Sequence, residues 1–448
     1  MAQWRLGVVA SGVLWLAASP AAAQADEQLA RDDRIAELER KVEVLTEELD
    51  RTRSEIAVPE LPELKSHYGM GPAASKIYDA TRGLSIGGYA EGFYRKLVED
   101  SGGAKDSADW LRMVLYAGYK FSDRILFNTE LEWEHATSSA TESAGAGSIS
   151  VEFATLDFMW RDEANARAGL VLVPMGFLNE VHEPPFFHGV NRPEVEREII
   201  PSTWRENGVG LFGSLWGESV DYKAYVVNGF NAAGFSASGL RGGRQNGNRA
   251  LAEHPAFVGK LEGSPLPGLL LGGSLYLGNS GQNQKLASVA PAPPGTLKVP
   301  DTFSVLWELH SEFRMYNAAF RTLFTMAHLD EAAALTAALR ASGDIGATEV
   351  VADEMLGVYA EVAYDVWRLF FPESERSLEP FFRFEYLDTQ HDVPSGFAAD
   401  DSERVRIYTA GLSFKPIPNV VLKADYRNLD PEAGSLADEL NLGVGVAF

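Results

Sequence analysis

The sequence contains no cysteine, and basic residues are scarce in it. Without cysteine the chain cannot form a disulfide, a thiolate zinc site, a cysteine nucleophile or an iron–sulfur cluster on cysteine ligands. The 39 Lys and Arg residues are outnumbered by 63 Asp and Glu residues, which gives a formal net charge of -24. Because binding to nucleic acid depends on clustered Lys and Arg, we expect no nucleic-acid partner.

Long apolar runs are missing as well. Beyond the N-terminus, no apolar stretch reaches the roughly 18 residues that a membrane-spanning helix needs. A mature chain that lives in a membrane must therefore cross it as a β-barrel.

The first 25 residues have the features of an export signal. Arg5 provides a basic start, residues 6–18 are apolar, and Ala23-Gln-Ala25 offers the small residues of a cleavage site. The apolar run is too short to span a bilayer comfortably. We predict that residues 1–25 are a signal peptide and that the mature protein is exported, with an uncleaved membrane anchor as the alternative.

Residues 26–56 are rich in Glu, Arg and Leu and show a heptad pattern. Apolar residues that recur at alternating gaps of three and four predict a coiled coil with a self-association seam, and a homotrimer is the expected form. The alternative is a solvated charged spacer. Pro59 and Pro62 end the helical pattern, and residues 57–82 are expected to be a linker. The predicted seam consists of Ile35, Leu38, Val42, Leu45 and Leu49.

From residue 83 onward the hydrophobic pattern has a period of two. Residues 110–121 place Met113 and Leu115 on one face, and Arg112 and Lys120 on the other. In a soluble sandwich the apolar face would point inward, whereas in an outer-membrane barrel it faces lipid and the charged face lines the lumen. The predicted strands run longer than those of most soluble sheets, which favours the membrane barrel.

Connections between these strands alternate between short turns and long polar loops, which is typical of bacterial outer-membrane barrels with periplasmic turns. The pattern predicts an all-β fold, a 16-stranded antiparallel transmembrane β-barrel over residues 83–448, preceded by the coiled coil. The predicted strands are residues 84–95, 109–121, 124–134, 149–160, 165–174, 207–216, 219–229, 255–264, 267–278, 302–314, 317–329, 355–367, 379–389, 403–415, 419–429 and 438–448.

An even number of strands puts both ends of the barrel at the short-turn side. The coiled coil and the C-terminus are therefore both expected in the periplasm. The last strand alternates from Leu440 and ends on Phe448. A terminal Phe on an alternating strand resembles the signal by which the barrel assembly machinery recognises its substrates, so this machinery is an expected partner through Phe448.

Taken in order along the chain, these features resemble the phosphate-selective porin O and P family. Pro416-Ile-Pro-Asn419 precedes the penultimate strand, and residues 196–213 resemble the family's passage from the third long loop into the sixth strand. The resemblance covers about residues 84–448. It implies a trimeric outer-membrane porin that passes small hydrophilic solutes passively, with the third long loop folded inward. The family's phosphate-binding basic residues are not matched one by one, so phosphate selectivity is not transferred.

Strand alternation assigns both signs of charge to the lumen, with slightly more acids than bases. An anion filter needs a continuous basic wall. We therefore expect weak ion selectivity, with anions such as phosphate among the solutes that pass. The candidate pore-lining residues are Arg112, Lys120, Arg124, Glu130, Glu132, Arg167, Lys223, Glu308, Arg321, Arg383, Lys423 and Arg427.

The inward loop is expected at residues 176–206, where acids also outnumber bases. The alternative is that these charges pair with one another and select nothing, since exposed ion pairs often contribute little. The candidate constriction residues are Glu180, His182, Glu183, His188, Arg192, Arg197, Arg205 and Glu206.

Two short motifs could indicate chemistry other than transport. His182 and His188 are separated by two prolines and do not have the helical spacing of a zinc site. Gly83-Leu-Ser-Ile-Gly87 matches a nucleophile elbow, but it opens a strand where the elbow needs a strand before it and a helix after it. We therefore expect no catalytic residue, no metal and no cofactor. A barrel enzyme and a barrel-anchored structural tether remain the alternatives.

Overall fold

The computed structural model describes residues 34–48, 64–98, 105–139, 145–217, 219–288 and 296–448. The expected signal peptide, the seam residue Leu49 and residues 57–63 lie outside these ranges. The chain divides into two compact units, Met1–Glu63 and Leu64–Phe448. Among the helices in the described ranges, none is both long enough and apolar enough to traverse a bilayer.

The second unit is a closed antiparallel barrel of sixteen strands, as predicted. Neighbouring strands follow the chain order, strand Leu269–Asn279 pairs with strand Phe303–Met315, and the first strand, Gly83–Val98, closes the barrel against the last, Asp438–Ala447. The remaining two strands, β10 (Lys285–Ala287) and β11 (Thr296–Lys298), form a separate hairpin. The barrel strands are β1 (Gly83–Val98), β2 (Ser107–Ser122), β3 (Ile125–Glu134), β4 (Ser148–Arg161), β5 (Ala164–Leu172), β6 (Arg205–Leu215), β7 (Val220–Asn228), β8 (Pro255–Leu266), β9 (Leu269–Asn279), β12 (Phe303–Met315), β13 (Ala318–Leu329), β14 (Glu354–Tyr364), β15 (Ser377–Asp392), β16 (Arg404–Ile417), β17 (Val420–Pro431) and β18 (Asp438–Ala447).

Alternation along the strands separates an apolar outer face from the interior. On β2, Met113 is 51% exposed while its neighbour Val114 is fully buried. Large aromatic side chains are exposed near both rims of the barrel. Trp216 and Tyr316 lie at one end, and Tyr94 lies near the other. An apolar band bordered by aromatic residues is the outer surface of a transmembrane barrel.

Tight turns join the strands at one end of the barrel, here called the short-turn end. Gly268 turns the chain between β8 and β9 with φ of +80°, and a Cβ there would meet the Arg314 carbonyl oxygen. β1 begins and β18 finishes at this end. Both ends of the barrel therefore lie on the short-turn side, as the even strand number requires.

One connection at the short-turn end is longer than the sequence pattern indicated. The strand predicted over residues 355–367 ends at Tyr364, and β15 begins only at Ser377. The Asp365 carboxylate accepts hydrogen bonds from the backbone N–H groups of Trp367 (3.0 Å) and Leu378 (3.2 Å). This bonding turns the apolar run after Tyr364 into a short 3₁₀ helix, Trp367–Leu369, which the period of two did not reveal.

Residues 34–48 form a helix, here called α1. Ile35, Leu38, Val42 and Leu45, four of the five predicted seam residues, are exposed on it. The coiled coil itself stays a prediction. Three further helices are α2 (Lys76–Asp79), α3 (Val195–Glu198) and α4 (Ala332–Ser342).

Residues 64–80, within the stretch expected to be a linker, pack inside the barrel. Ile77 is buried and lies where a side chain at Gly118 of β2 would point. The Asn128 side chain donates to the Ala74 carbonyl at 2.9 Å. The segment is short and partly irregular, so its few buried side chains left no clear period in the sequence.

Candidate functional site

The long loop between β5 and β6, residues 173–204, folds into the barrel. Asn179 closes its base, because its side-chain amide donates to the carbonyls of Val173 (2.6 Å) and Trp204 (2.8 Å) and its oxygen accepts from the Trp204 N–H (2.7 Å). The Trp204 indole is buried and stacks on Phe230 at 4.3 Å between ring centroids. A loop with joined ends and its own packing keeps a fixed shape.

The first part of the loop attaches to basic residues of the barrel wall. The Glu180 carboxylate pairs with Lys223 of β7 and with Lys260 of β8, the latter at 3.1 Å. Phe177 lies under the Arg321 guanidinium of β13, with 4.7 Å from the charge centre to the ring centroid. The first contact is buried and the second is partly buried, so the loop is braced against this side of the lumen.

The middle of the loop faces β1, β3 and the inner segment 64–80. The His182 Nε2 atom lies 3.5 Å from a carboxylate oxygen of Glu130, which is fully buried. Burial, together with the nearby charges of Arg192 and Arg112, lowers the pKa of His182 to about 3, so the imidazole is neutral.

Glu183 ties the loop to the inner segment. Its carboxylate accepts hydrogen bonds from the backbone N–H groups of Ala73 (2.9 Å) and Ala74 (3.3 Å). Burial raises the pKa of Glu183 to about 8, against the opposing effect of these hydrogen bonds. The loop and residues 64–80 therefore form one assembly that occupies the lumen.

The tip of the loop is fixed by His188 to the wall at β14 and β15, next to β13. Its Nδ1 lies 2.9 Å from Glu361 of β14, and its Nε2 lies 3.1 Å from Glu379 of β15. Burial alone would lower the pKa of His188, but hydrogen bonds to the two carboxylates outweigh it and raise the pKa above the usual value. The imidazole ring also stacks on Phe381.

Most predicted pore-lining bases are paired with carboxylates inside the barrel. Arg112 lies 2.9 Å from Glu91 and 3.2 Å from Glu132, and Arg167 lies 2.8 Å from Asp157. Further pairs join Arg321 to Glu312, Arg383 to Glu361 and Glu385, and Arg427 to Glu194 and Glu439.

Lys423 of β17 differs from these bases. Its side chain is buried, and its Nζ has no hydrogen-bond partner within the described part of the chain. The ammonium group lies 3.6 Å from the centroid of the Phe187 ring on the loop. Lys423 therefore differs from the paired bases, because its Nζ faces an aromatic ring and not a hydrogen-bonded carboxylate.

Four other predicted residues have structural contacts. Lys120 donates to the Ala80 carbonyl at 2.7 Å, and Arg205 pairs with Glu152 at 2.6 Å. Glu206 accepts from the Trp204 indole at 3.2 Å, and Glu308 binds His310 at 2.8 Å.

Two predicted residues are exposed. Arg124 lies in the turn between β2 and β3, and Arg197 pairs with Glu194 and Glu198. The part that any of the predicted residues plays in solute passage stays a prediction.

Sequence reasoning missed the contribution of residues 64–80 to this site. The Tyr78 hydroxyl lies 2.6 Å from Asp157 and accepts from Arg167 at 2.7 Å, so the segment joins the charge network of the wall. The available signal was the buried set Met70, Ala73, Ala74 and Ile77, but four positions are too few to predict an element.

No family model matches this chain. An uncharacterized protein of Aquifex aeolicus (strain VF5) is 36% identical over 380 residues, which cover 84% of this chain and 82% of that protein. The chain belongs to the same family as this Aquifex protein.

The solved structures that resemble this chain include outer-membrane barrels. A loop L8 deletion mutant of OmpT, an outer membrane protein of Vibrio cholerae, has a TM-score of 0.52 at 12% identity, covering 82% of this chain and 100% of that one. OmpF of Salmonella typhi, in a complex with daunomycin, has a TM-score of 0.53 at 12% identity, covering 83% and 99%. The outer membrane channel DcaP of Acinetobacter baumannii has a TM-score of 0.50 at 11% identity, covering 82% and 97%. At such identities these likenesses show a shared porin-like barrel fold.

Proposed function

We propose that the protein is a bacterial outer-membrane porin for passive diffusion of ions and small hydrophilic solutes. The observation that carries this proposal is a closed sixteen-stranded barrel with an apolar outer face and a charged interior into which loop 173–204 folds. Barrels of this size leave room for an aqueous channel, and an inward loop narrows it. The function needs no catalytic residue, and the sequence resemblance to the phosphate-selective porin O and P family supports it.

The orientation follows from the two barrel ends. With residues 1–25 acting as an export signal, the short-turn end faces the periplasm, as in other outer-membrane barrels. Helix α1 then lies in the periplasm. Phe448, at the end of the chain, is the residue that we expect the barrel assembly machinery to recognise.

Weak ion selectivity is supported by the pairing of lumen charges. Arg112, Arg167 and Arg427 each contact at least one carboxylate. A paired base offers little net field to a passing ion. Small anions such as phosphate would therefore pass without a strong preference, and Lys423 would supply a modest positive contribution.

Single-channel recording tests the proposal. The purified protein should produce steady open steps in a planar bilayer, and reversal potentials in a salt gradient should be small. Steady steps would also separate a porin from a barrel enzyme or a structural tether. Protein that inserts into the bilayer and gives no open state would contradict the proposal, and a large reversal potential would contradict weak selectivity.

A further inference from the structure

The turn between β14 and β15, residues 365–376, exposes an apolar cluster at the short-turn rim. Leu369 is 57% exposed, Phe370 is 76% exposed and Phe371 is 54% exposed. Other turns at this end, such as residues 123–124 and 316–317, are much shorter. Exposed apolar clusters on a folded surface mark a place where another apolar surface binds.

The turn has a fixed shape that holds these side chains outward. Asp365 accepts from the backbone N–H of Trp367 in the turn and from that of Leu378 in β15, and it pairs with the Arg368 guanidinium at 3.2 Å. The Trp367 indole N–H donates to the Ser374 hydroxyl at 3.2 Å. The exposure of Leu369 to Phe371 is therefore set by the folded turn.

The cluster continues the apolar outer face of the barrel. The Trp367 ring lies 5.9 Å from Phe414 of β16 and 5.2 Å from Phe371. Phe414 shares the outward face of β16 with Leu412, which is exposed. The Asp365 N–H donates to the Asn317 carbonyl at 2.8 Å, which joins this turn to the neighbouring turn that holds the exposed Tyr316.

We propose that the 365–376 turn is a lipid-binding anchor whose apolar cluster enters the headgroup and upper acyl region of the periplasmic leaflet. Aromatic side chains are favoured at this depth because their rings are apolar while their edges tolerate water. The ligand is phospholipid, and the turn fixes the depth of the barrel on this side. This inference rests on the proposed membrane location.

Site-specific fluorescence tests the anchor, since the cysteine-free chain accepts a single thiol. Phe370→Cys in the full chain is labelled with an environment-sensitive fluorophore and reconstituted in vesicles of phosphatidylethanolamine and phosphatidylglycerol. The vesicles carry lipid nitroxides placed near the headgroup or near the acyl-chain end. Leu412→Cys, on the outward face of β16, and Glu375→Cys, a polar residue of the same turn, are the matched controls.

The Phe370 label should lose most of its emission with the headgroup-proximal nitroxide and little with the chain-end nitroxide. The Leu412 label should be quenched by the deeper nitroxide, and the Glu375 label should be quenched by iodide in the water phase. A Phe370 label that behaves like the Glu375 label would overturn the anchor. A blue-shifted Phe370 label that neither nitroxide quenches would also overturn it, because protein would then cover the turn. If the Leu412 label shows no lipid contact either, the proposed membrane location fails together with the anchor.

Discussion

At the scale of single residues, most bases in the lumen pair with carboxylates, and a few have other contacts. Arg383, for example, is buried with two carboxylates beside it, whereas Lys423 faces an aromatic ring. Replacing a paired base leaves its carboxylate buried without a counter-charge, which is itself destabilising. A change in ion selectivity could then not be assigned to the missing base alone. Replacing Lys423 does not have this drawback.

Lys423→Met should make the pore more cation-selective. If the Lys423 amine changes the energy of a passing ion by about 0.5 kcal/mol, its removal would change the anion-to-cation permeability ratio roughly twofold. Reversal potentials in a salt gradient measure the change. Lys298→Met, at an exposed lysine near Asp301, is the control and should leave the ratio unchanged. Equal ratios in Lys423→Met and in the unaltered protein would mean that ions do not pass this residue.

His188 should make the loop tip sensitive to alkaline pH. The pKa of His188 is raised in the folded state, so the stabilisation from its protonated form is complete below the unfolded pKa of about 6.5 and is lost as pH rises through the folded pKa. The carboxylates of Glu361 and Glu379 contact the ring nitrogens. The nearby bases are Arg383, which donates to the His188 carbonyl, and Lys415, which pairs with Glu379.

Open-channel current noise should therefore rise with pH in the unaltered protein. His188→Phe keeps a ring against Phe381 but loses both carboxylate contacts, so its noise should be high at every pH. His391→Phe, at an exposed histidine near the other end of β15, is the control and should keep the normal pH response. A pH response that survives in His188→Phe would assign the titration to another group.

At the scale of structural elements, two pieces of chain share the lumen. Loop 173–204 is joined at its base by Asn179, and segment 64–80 is held to the loop by Glu183 and to the wall by Asn128 and Lys120. The free cross-section of the pore thus depends on both pieces staying in place.

Glu183→Ala should loosen segment 64–80 and raise single-channel conductance. The substitution leaves the N–H groups of Ala73 and Ala74 without their acceptor, at a cost of about 1–3 kcal/mol. Glu183→Gln retains a neutral acceptor of the same shape and is the matched control. Unchanged conductance in Glu183→Ala would show that the segment does not limit the pore.

The same contact has a defined pH dependence. The pKa of Glu183 is raised to about 8 in the folded state. The folded protein therefore keeps a proton on this carboxyl group that the unfolded chain loses at about pH 4.3. Stability from this site therefore falls as pH rises between these values. Glu183→Gln should remove this part of the pH dependence in urea unfolding of the reconstituted barrel. An identical pH profile in Glu183→Gln would contradict the assignment.

At the scale of the whole molecule, we expect assembly to depend on helix α1. Its exposed seam would join copies of the chain, whereas a charged spacer would leave them separate. If the expected trimer forms through this seam, Leu38→Asp combined with Val42→Asp should reduce it to monomers, because carboxylates buried in the seam without a partner are costly. Native mass spectrometry in detergent measures the change. Glu39→Gln, a change at a polar position of the same helix, should leave the trimer intact. Trimers that persist in the double variant would assign assembly to the barrel.

The barrel itself was predictable because its signal is repeated in every strand. Residues such as Met113 and Val114 alternate between lipid-facing and interior positions. The stretches of sequence with a period of two therefore match the observed strands to within a few residues at most ends. The turn 365–376 escaped prediction because one carboxylate, Asp365, redirects an apolar run that could have continued the strand. Segment 64–80 escaped because its buried residues are too few to show a period.

The sequence by itself determined which side chains face lipid and which face the interior, since that depends only on alternation along each strand. It also placed both ends of the barrel on one side through the even number of strands. Only the tertiary structure decided which polar groups meet, because Glu183 with the Ala73 N–H and His188 with Glu361 are partners far apart in the chain. Closure of the barrel brings those partners together, and no local pattern encodes a contact that exists only after closure.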